Sequence, residues 1–457
     1  MTAGAPIIVE TCQPAGPPFR WLDLQTMGEF ARDPLAFVSR AVSQYGPVVQ
    51  LRLGIQPALL IADPTIVREV LVTKNRSFEK APRAKRIIRN MAGAGTIASE
   101  GDIWFRHRRI IQKGFSSERM KKFAAVIVEH GRKRMQTWGD GTVVDVCAEM
   151  AELSLGIVAK SMLDLELTGE AARIHEWANT LSQAAVEEFS EIVPLPDWLP
   201  LPSKRRKRAA FRGLESLIQS VIAARRAAGD DRGDMLSILL SATDESEQAN
   251  PLTDRQAMDE ALTLLHAGYD SSAAGLAWTW YLLDQHPEIA DAVQAEVADV
   301  LGDRAATLAD YDRLEFCQQV VKESLRMYPP AWMMMVRRAV ENVELSDFAV
   351  KRGTWIYVSP WATHRCERYF PNPTQFDPSR FSEQRISEIA DGAFFPFGLG
   401  PHRCVGERLA MVEMLLALAT VTQHCRLHLA DPKQSVEVEM HTAIRPKGAL
   451  RMRVELR

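Results

Sequence analysis

Residues 394–406 read FFPFGLGPHRCVG, and the fold turns on how this stretch is read. Glycines at 398, 400 and 406 let the backbone turn sharply and come close to a flat partner with no Cβ in the way. From about Gly406 to His424 the sequence is compatible with a helix, which puts Cys404 at a helix start. Amide groups and the helix dipole favour a thiolate there. A lone cysteine beside a glycine-rich turn is more often a buried structural residue, so the weight falls on what surrounds this one.

Working outward, the 457-residue chain is 46% apolar, enough for a large core. Its 55 basic and 58 acidic residues nearly cancel, so no global charge points to nucleic acid. Six cysteines are scattered with no C-x-x-C pair, which removes a zinc ribbon and a dithiol redox motif and fits a reducing compartment. Residues 1–20 hold four prolines and one short apolar run, Ile7–Val9. They lack a secretory signal and are too short to span a bilayer, so a cytoplasmic protein without a membrane anchor is expected.

The longest helix expected starts at the capping-box pattern Thr253-Asp-Arg-Gln256 and stops at Pro287. That is roughly 33 residues, or about 50 Å. Its second half, Ala273 to Leu283, is apolar nearly all round and is read as a core helix. Pro47–Ile61 reads as a hairpin broken near Gly54, and Val343–Val358 as a second extended stretch turning at Gly353. The last strand is expected at Leu450–Leu456. Mainly helix with a minor β portion, in one domain, is the economical reading.

The Cys404 stretch resembles the haem loop of the cytochrome P450 family, matched by Phe397, Gly398, Gly400, His402, Cys404 and Gly406. Three further elements resemble the same family in the same order: Trp104 and Arg108 at i and i+4, Glu323 and Arg326 at i and i+3, and Arg380. The resemblance covers roughly residues 30–457, leaving 1–29 as an N-terminal extension. It implies the mainly helical P450 fold around haem b, with Cys404 as the axial iron ligand that donates electron density to iron. Phe397 would keep the sulfur dry. Trp104, Arg108, Arg337 and His402 would hold the propionates, with Arg338 as the competitor of Arg337. Glu323, Arg326 and Arg380 would form a structural triad behind the loop.

On the oxygen side, Ala267-Gly-Tyr-Asp-Ser-Ser272 resembles the family's oxygen-activation motif, with Ser271 where threonine is usual. Asp270 and Ser271 would pass protons, Ala267 would lie against the cofactor, and Gly268 would weaken the helix and free a carbonyl. Serine lacks the methyl that restricts the rotamer, so its hydroxyl can bond back to the helix. Met333, Met334 and Met335 are expected to shape an apolar substrate pocket. The loop Arg86–Glu100 and the connection Ile192–Pro202 are expected over that pocket.

The implied activity is monooxygenation of a hydrophobic substrate with O2, electrons coming from a separate ferredoxin or flavodoxin and an NAD(P)H-dependent reductase. A basic patch of Arg106, Arg109, Lys113, Arg403 and Arg408 would steer that partner. The basic run Lys204–Arg208 reads as a solvated face. A haem-thiolate peroxygenase or isomerase and a non-enzymatic haem sensor are the competing readings.

Overall fold

The computed structural model describes residues 13–18, 22–167, 169–191, 195–241 and 251–457. Cys12, the run Ile7–Val9 and the first three residues of the 192–202 connection lie outside them. The chain divides into two compact units, each assembled from separated segments.

The first unit takes the described residues of Met1–Ala81, Met333–Pro371 and Ala390–Arg403. Its five-stranded sheet contains β1 (Val48–Leu53), β2 (Gln56–Ile61), β3 (Phe78–Lys80), β4 (Arg337–Ala339) and β5 (Trp355–Val358), in the order β1-β2-β5-β4-β3. β1 and β2 form the expected hairpin, turning at Gly54 with φ +66°. β2 pairs in parallel with β5, Ala58 opposite Trp355, and the other pairs are antiparallel. Val48, Ile61, Val67, Ile356 and Phe395 share one buried cluster.

The Val343–Val358 stretch departs from expectation. A separate hairpin, Val343–Leu345 against Phe348–Val350, turns at Ser346 with φ +47°, ahead of the turn at Gly353. A serine holds this left-handed conformation because Glu69 accepts both its amide (3.1 Å) and its hydroxyl (2.6 Å). No glycine marks the turn, which is why the sequence hid it.

The 394–403 half of the cysteine loop packs inside this unit. Gly400 has φ +70°, and a Cβ there would lie 2.1 Å from the carbonyl oxygen of Leu71. Part of the glycine requirement is therefore a neighbouring backbone of the protein itself, in the wide helical turn Glu69–Thr73. His364, fully buried, accepts the Phe395 amide at 3.2 Å and stacks on Phe394 with ring centroids 5.5 Å apart.

The second unit takes Pro82–Trp332, Asn372–Ile389 and Cys404–Arg457. Its principal helices are α1 (Pro82–Ala92), α2 (Gly101–Lys113), α3 (Val146–Leu163), α4 (Ala171–Ser190), α5 (Pro202–Ala228), α6 (Asp254–Gln285), α7 (Glu315–Met327) and α8 (Glu407–Thr422). The expected C-terminal strand, Arg451–Leu456, lies between Val143–Asp145 and Cys425–Leu429 in a small sheet.

α6 has its capping box: the Gln256 amide donates to Thr253 Oγ1 at 3.2 Å, and the Thr253 amide to Gln256 Oε1 at 3.0 Å. The helix packs most extensively along α3. Gly268 does not break it. A Cβ there would sit 2.8 Å from Val158 Cγ2, so this glycine permits close approach of α3 while α6 runs on unbroken to Gln285. Further along, Trp278 is fully buried and stacks on Tyr328 at 3.8 Å.

On α7, Arg326 and Glu323 are both fully buried and joined by two 2.7 Å hydrogen bonds. Arg380 reaches the same carboxylate at 3.4 Å, and the Asp377 amide donates to it at 3.0 Å. Remaining guanidinium donors of Arg326 bond the carbonyls of Pro373 (2.8 Å) and Gln375 (3.1 Å).

The Lys204–Arg208 run is corrected: it is not a solvated face throughout. Lys204 and Lys207 are 5% and 4% exposed, and both donate to Glu188 Oε1 on α4, at 2.7 and 2.6 Å. Glu413 on α8 is buried as well, accepting from Ser272 Oγ of α6 at 3.1 Å. Burial raises its pKa to about 7.

Two outcomes are expected. Gly400→Ala should lower stability by about 2 kcal/mol from the left-handed backbone alone, and further from the clash with Leu71. Gly406→Ala, whose Cβ would meet Cys404 Sγ at an ordinary 3.9 Å, should be tolerated. Equal thermal unfolding temperatures for the two variants would contradict this packing. For Glu413, the raised pKa means the native state holds the proton more tightly than the unfolded chain. Its contribution is complete below about pH 4.5 and lost as pH rises to about 7. Relative to Glu413→Gln, the native protein should therefore lose up to about 3 kcal/mol across that window and nothing further above it. Denaturant titrations at pH 5, 6, 7 and 8 read the difference, and a pH-independent offset would count against it.

Candidate active site

Cys404 stands two residues ahead of Gly406, the N-cap of α8. It is exposed, whereas Cys317 and Cys425 are buried and Cys147 and Cys366 half-buried. Burial pushes the Cys147 and Cys425 thiols up to about 12, so neither is suited to act as a thiolate. Near Cys404, the Nε of Arg108 is buried with no hydrogen-bond partner. Burial pulls that guanidinium below its ordinary value, and the Cys404 charge pulls it back up. Trp104 is half-buried one turn earlier on α2.

A buried triad that sequence reasoning missed fixes α2. His107, between Arg106 and Arg108, lies 2.6 Å through Nδ1 from Glu260 Oε1 on α6. Thr96 Oγ1 donates to the same carboxylate at 2.9 Å. Glu260 is fully buried, and these two neighbours satisfy its carboxylate by hydrogen bonding. The signal available was a carboxylate in the first half of a long helix, ahead of its apolar run.

Along α6, Ala267 is exposed and Ser271 half-buried on the same face, while Gly268 is turned toward Val158 of α3. Ser271 Oγ donates to the Ala267 carbonyl at 2.9 Å, the back-bond expected of a serine. Asp270 is turned elsewhere and is buried. Thr442 Oγ1 donates to its Oδ2 at 2.7 Å, and Thr442 is in turn 2.8 Å from Ser182 Oγ. The carboxylate lines a cavity of about 290 Å³ shared with His175, Asn179, Glu439 and Arg445. Adjacent in sequence, Asp270 and Ser271 thus occupy different environments, and nothing in the sequence pointed to Thr442.

Within the first unit, Arg337 is 7% exposed on β4, while Arg338 pairs with Glu79 on β3. Phe397 and His402 are half-buried. Met334 packs against the core cluster, so it serves the interior of that unit; Met333 and Met335 are half-buried. Among the proposed partner-steering residues, Arg109, Lys113, Arg403 and Arg408 are exposed and Arg106 is half-buried. Among the described residues, no helix is long and apolar enough to cross a membrane.

The second unit's residues fit a haem. An exposed cysteine precedes a helix N-terminus, an arginine beside it keeps a buried donor unspent, and a helix face of small residues can lie against a flat ring.

Comparison with known proteins agrees. The sequence profile of the family described as Cytochrome P450 matches residues 14–451. Cyclooctatin synthase of Streptomyces melanosporofaciens is 34% identical, over 87% of this chain and 86% of that protein. Pentalenene oxygenase of Streptomyces avermitilis is 30% identical, over 94% of each. The crystal structure of the cytochrome P450DA haem domain superposes with a TM-score of 0.87, covering 98% of both chains at 24% identity. The family's cofactor is haem b, and its members are oxidoreductases that incorporate oxygen. The chain belongs to the cytochrome P450 family.

Proposed function

We propose that the protein is a haem-thiolate monooxygenase that hydroxylates or epoxidises a cyclic, mostly hydrocarbon substrate. A separate ferredoxin or flavodoxin, itself reduced by an NAD(P)H-dependent reductase, supplies the electrons. The observation that carries the reading is the exposed Cys404 two residues ahead of the N-cap of α8, with the buried, unspent Nε of Arg108 near it. Support for the substrate class comes from the relatives. Pentalenene oxygenase and cyclooctat-9-en-7-ol 5-monooxygenase, the latter 33% identical over 87% of this chain, are named for a hydrocarbon and an alkenol. The family profile, over residues 14–451, spans segments of both compact units, which supports reading the chain as one catalytic domain; it begins within 1–29, so it gives no support to an extension of that length.

When bound, haem b supplies the redox-active iron at which dioxygen is activated. Cys404 would hold the iron as a thiolate, favoured by the helix start behind it and by the Arg108 charge. Trp104 and Arg108 of the second unit would offer indole and guanidinium donors to propionates, and Arg337 and His402 of the first unit guanidinium and imidazole donors. Asp270 takes up protons at Oδ1 from its polar cavity, while Oδ2 stays occupied by Thr442. Ser271 delivers a proton from Oγ, and must first release the Ala267 carbonyl. Met333 and Met335 border the substrate, and Arg109 and Lys113 meet the acidic face of the electron donor.

The purified ferric protein should show a low-spin haem-thiolate spectrum that shifts to high spin with cyclic hydrocarbons before fatty acids or macrolides. Absence of the thiolate spectrum in haem-loaded protein would remove Cys404 as ligand; a shift with fatty acids alone would remove the substrate class. In turnover with ferredoxin and reductase, Ser271→Thr should raise product formed per NAD(P)H by about twofold, because the added methyl restricts the rotamer. Thr442→Val should lower it. Unchanged ratios in both variants would take this proton route out of the account.

A further inference from the structure

We propose that a basic cavity between α1, α5 and the start of α6 binds an oxyanion-bearing small molecule, a phosphate or carboxylate attached to a compact apolar body. The cavity measures about 400 Å³, within the range of small-molecule sites. Arg89 enters it from α1, Lys207, Arg208 and Arg212 from α5, and Arg255 from α6; Asp197 is its one carboxylate. Five cations therefore face one acid.

Nor is that acid free to neutralise them. Asp197 already accepts from Lys207 Nζ at 3.0 Å and from Asn90 Nδ2. Lys207 is further engaged with Glu188, and Arg255 with Glu215 at 2.8 Å and Asp259 at 3.3 Å. Arg208 and Arg212 spend only their Nε groups, on carbonyls one turn back at 3.3 Å. Among the described residues, neither they nor Arg89 has a carboxylate within ion-pair distance.

Arg208 and Arg212 stand at i and i+4 on one helix face, an arrangement that repels and works against the helix unless an anion lies between them. Planar guanidinium forks suit the paired oxygens of phosphate or carboxylate, and a concave wall of one sign concentrates the field. Phe211, on the same wall, offers a ring for an apolar body. Meanwhile the buried Lys204, Lys207 and Glu188 cluster holds α5 to α4, so the arginines project from an anchored turn.

This site stands independently of the oxygenase reading, and its test needs no turnover. Inorganic pyrophosphate should bind the haem-loaded protein saturably, one per chain, by isothermal titration calorimetry, more weakly as salt rises. The double variant Arg208→Gln/Arg212→Gln should weaken binding at least about tenfold through lost charge-assisted hydrogen bonds. The exposed pair Arg205→Gln/Arg206→Gln on the same helix should leave it within about twofold, as its charges lie outside the cavity. No saturable binding, or equal loss in both double variants, would overturn the proposal. So would co-sedimentation with phosphatidylglycerol vesicles, lost in Arg208→Gln/Arg212→Gln, in protein that ignores pyrophosphate. That result would make the arginines a lipid-headgroup contact.

Discussion

The Glu323–Arg326 pair is the constraint on which the second unit's architecture rests. Two opposite charges with no solvent exposure carry a desolvation cost that their mutual attraction alone does not reliably offset. What makes the pair viable is that both ends are saturated. The carboxylate accepts from Arg326, Arg380 and the Asp377 amide, and the guanidinium spends its other donors on the carbonyls of Pro373 and Gln375. Each of those carbonyls belongs to a segment with little regular structure of its own. The ion pair thus serves as a mould for residues 372–380, a stretch with no sheet ladder or long helix to hold it. Arg380 closes the arrangement by bonding the Asn372 carbonyl at 2.8 Å.

The same logic recurs along α6, which carries polar groups into the core at three levels. Glu260 is held by His107 and Thr96, Asp270 by Thr442, and Ser272 meets Glu413. Each pairing reaches a different part of the second unit: α2, the C-terminal segment and α8. A core helix built wholly of leucine and alanine would pack, yet it could slide or rotate. Directional bonds at three heights fix its register, and with it the face on which Ala267 and Ser271 sit.

How legible this was in the sequence depended on distance along the chain. The capping box of α6, the Glu323–Arg326 spacing and the Trp104–Arg108 spacing are local, so the helix period alone places their side chains. The Cys404 loop was legible because its residue types are unusual in combination. Partners brought together by folding were not. Thr442 lies 172 residues from Asp270, and His107 lies 153 from Glu260. Gly400 answers to a carbonyl at Leu71, which no local pattern could announce. Burial of Lys204 and Lys207 was hidden because lysine is almost always solvated, and Glu188 sits on the preceding helix. The turn at Ser346 was missed because Glu69, not glycine, makes the conformation tolerable.

One consequence of the β2–β5 pairing concerns how the chain is made. Ala58 emerges from the ribosome long before its parallel partner Trp355. At about 5–20 residues per second, strand β2 waits some 15–60 s with a row of backbone N–H and C=O groups unpaired. Such an edge is a template for wrong pairing with a neighbouring nascent chain. The hairpin with β1 shields one side early, leaving the other to be guarded by chaperones or by slow, dilute synthesis. Poor yields of folded protein from rapid overexpression would then reflect this interval in translation rather than any weakness in the finished molecule.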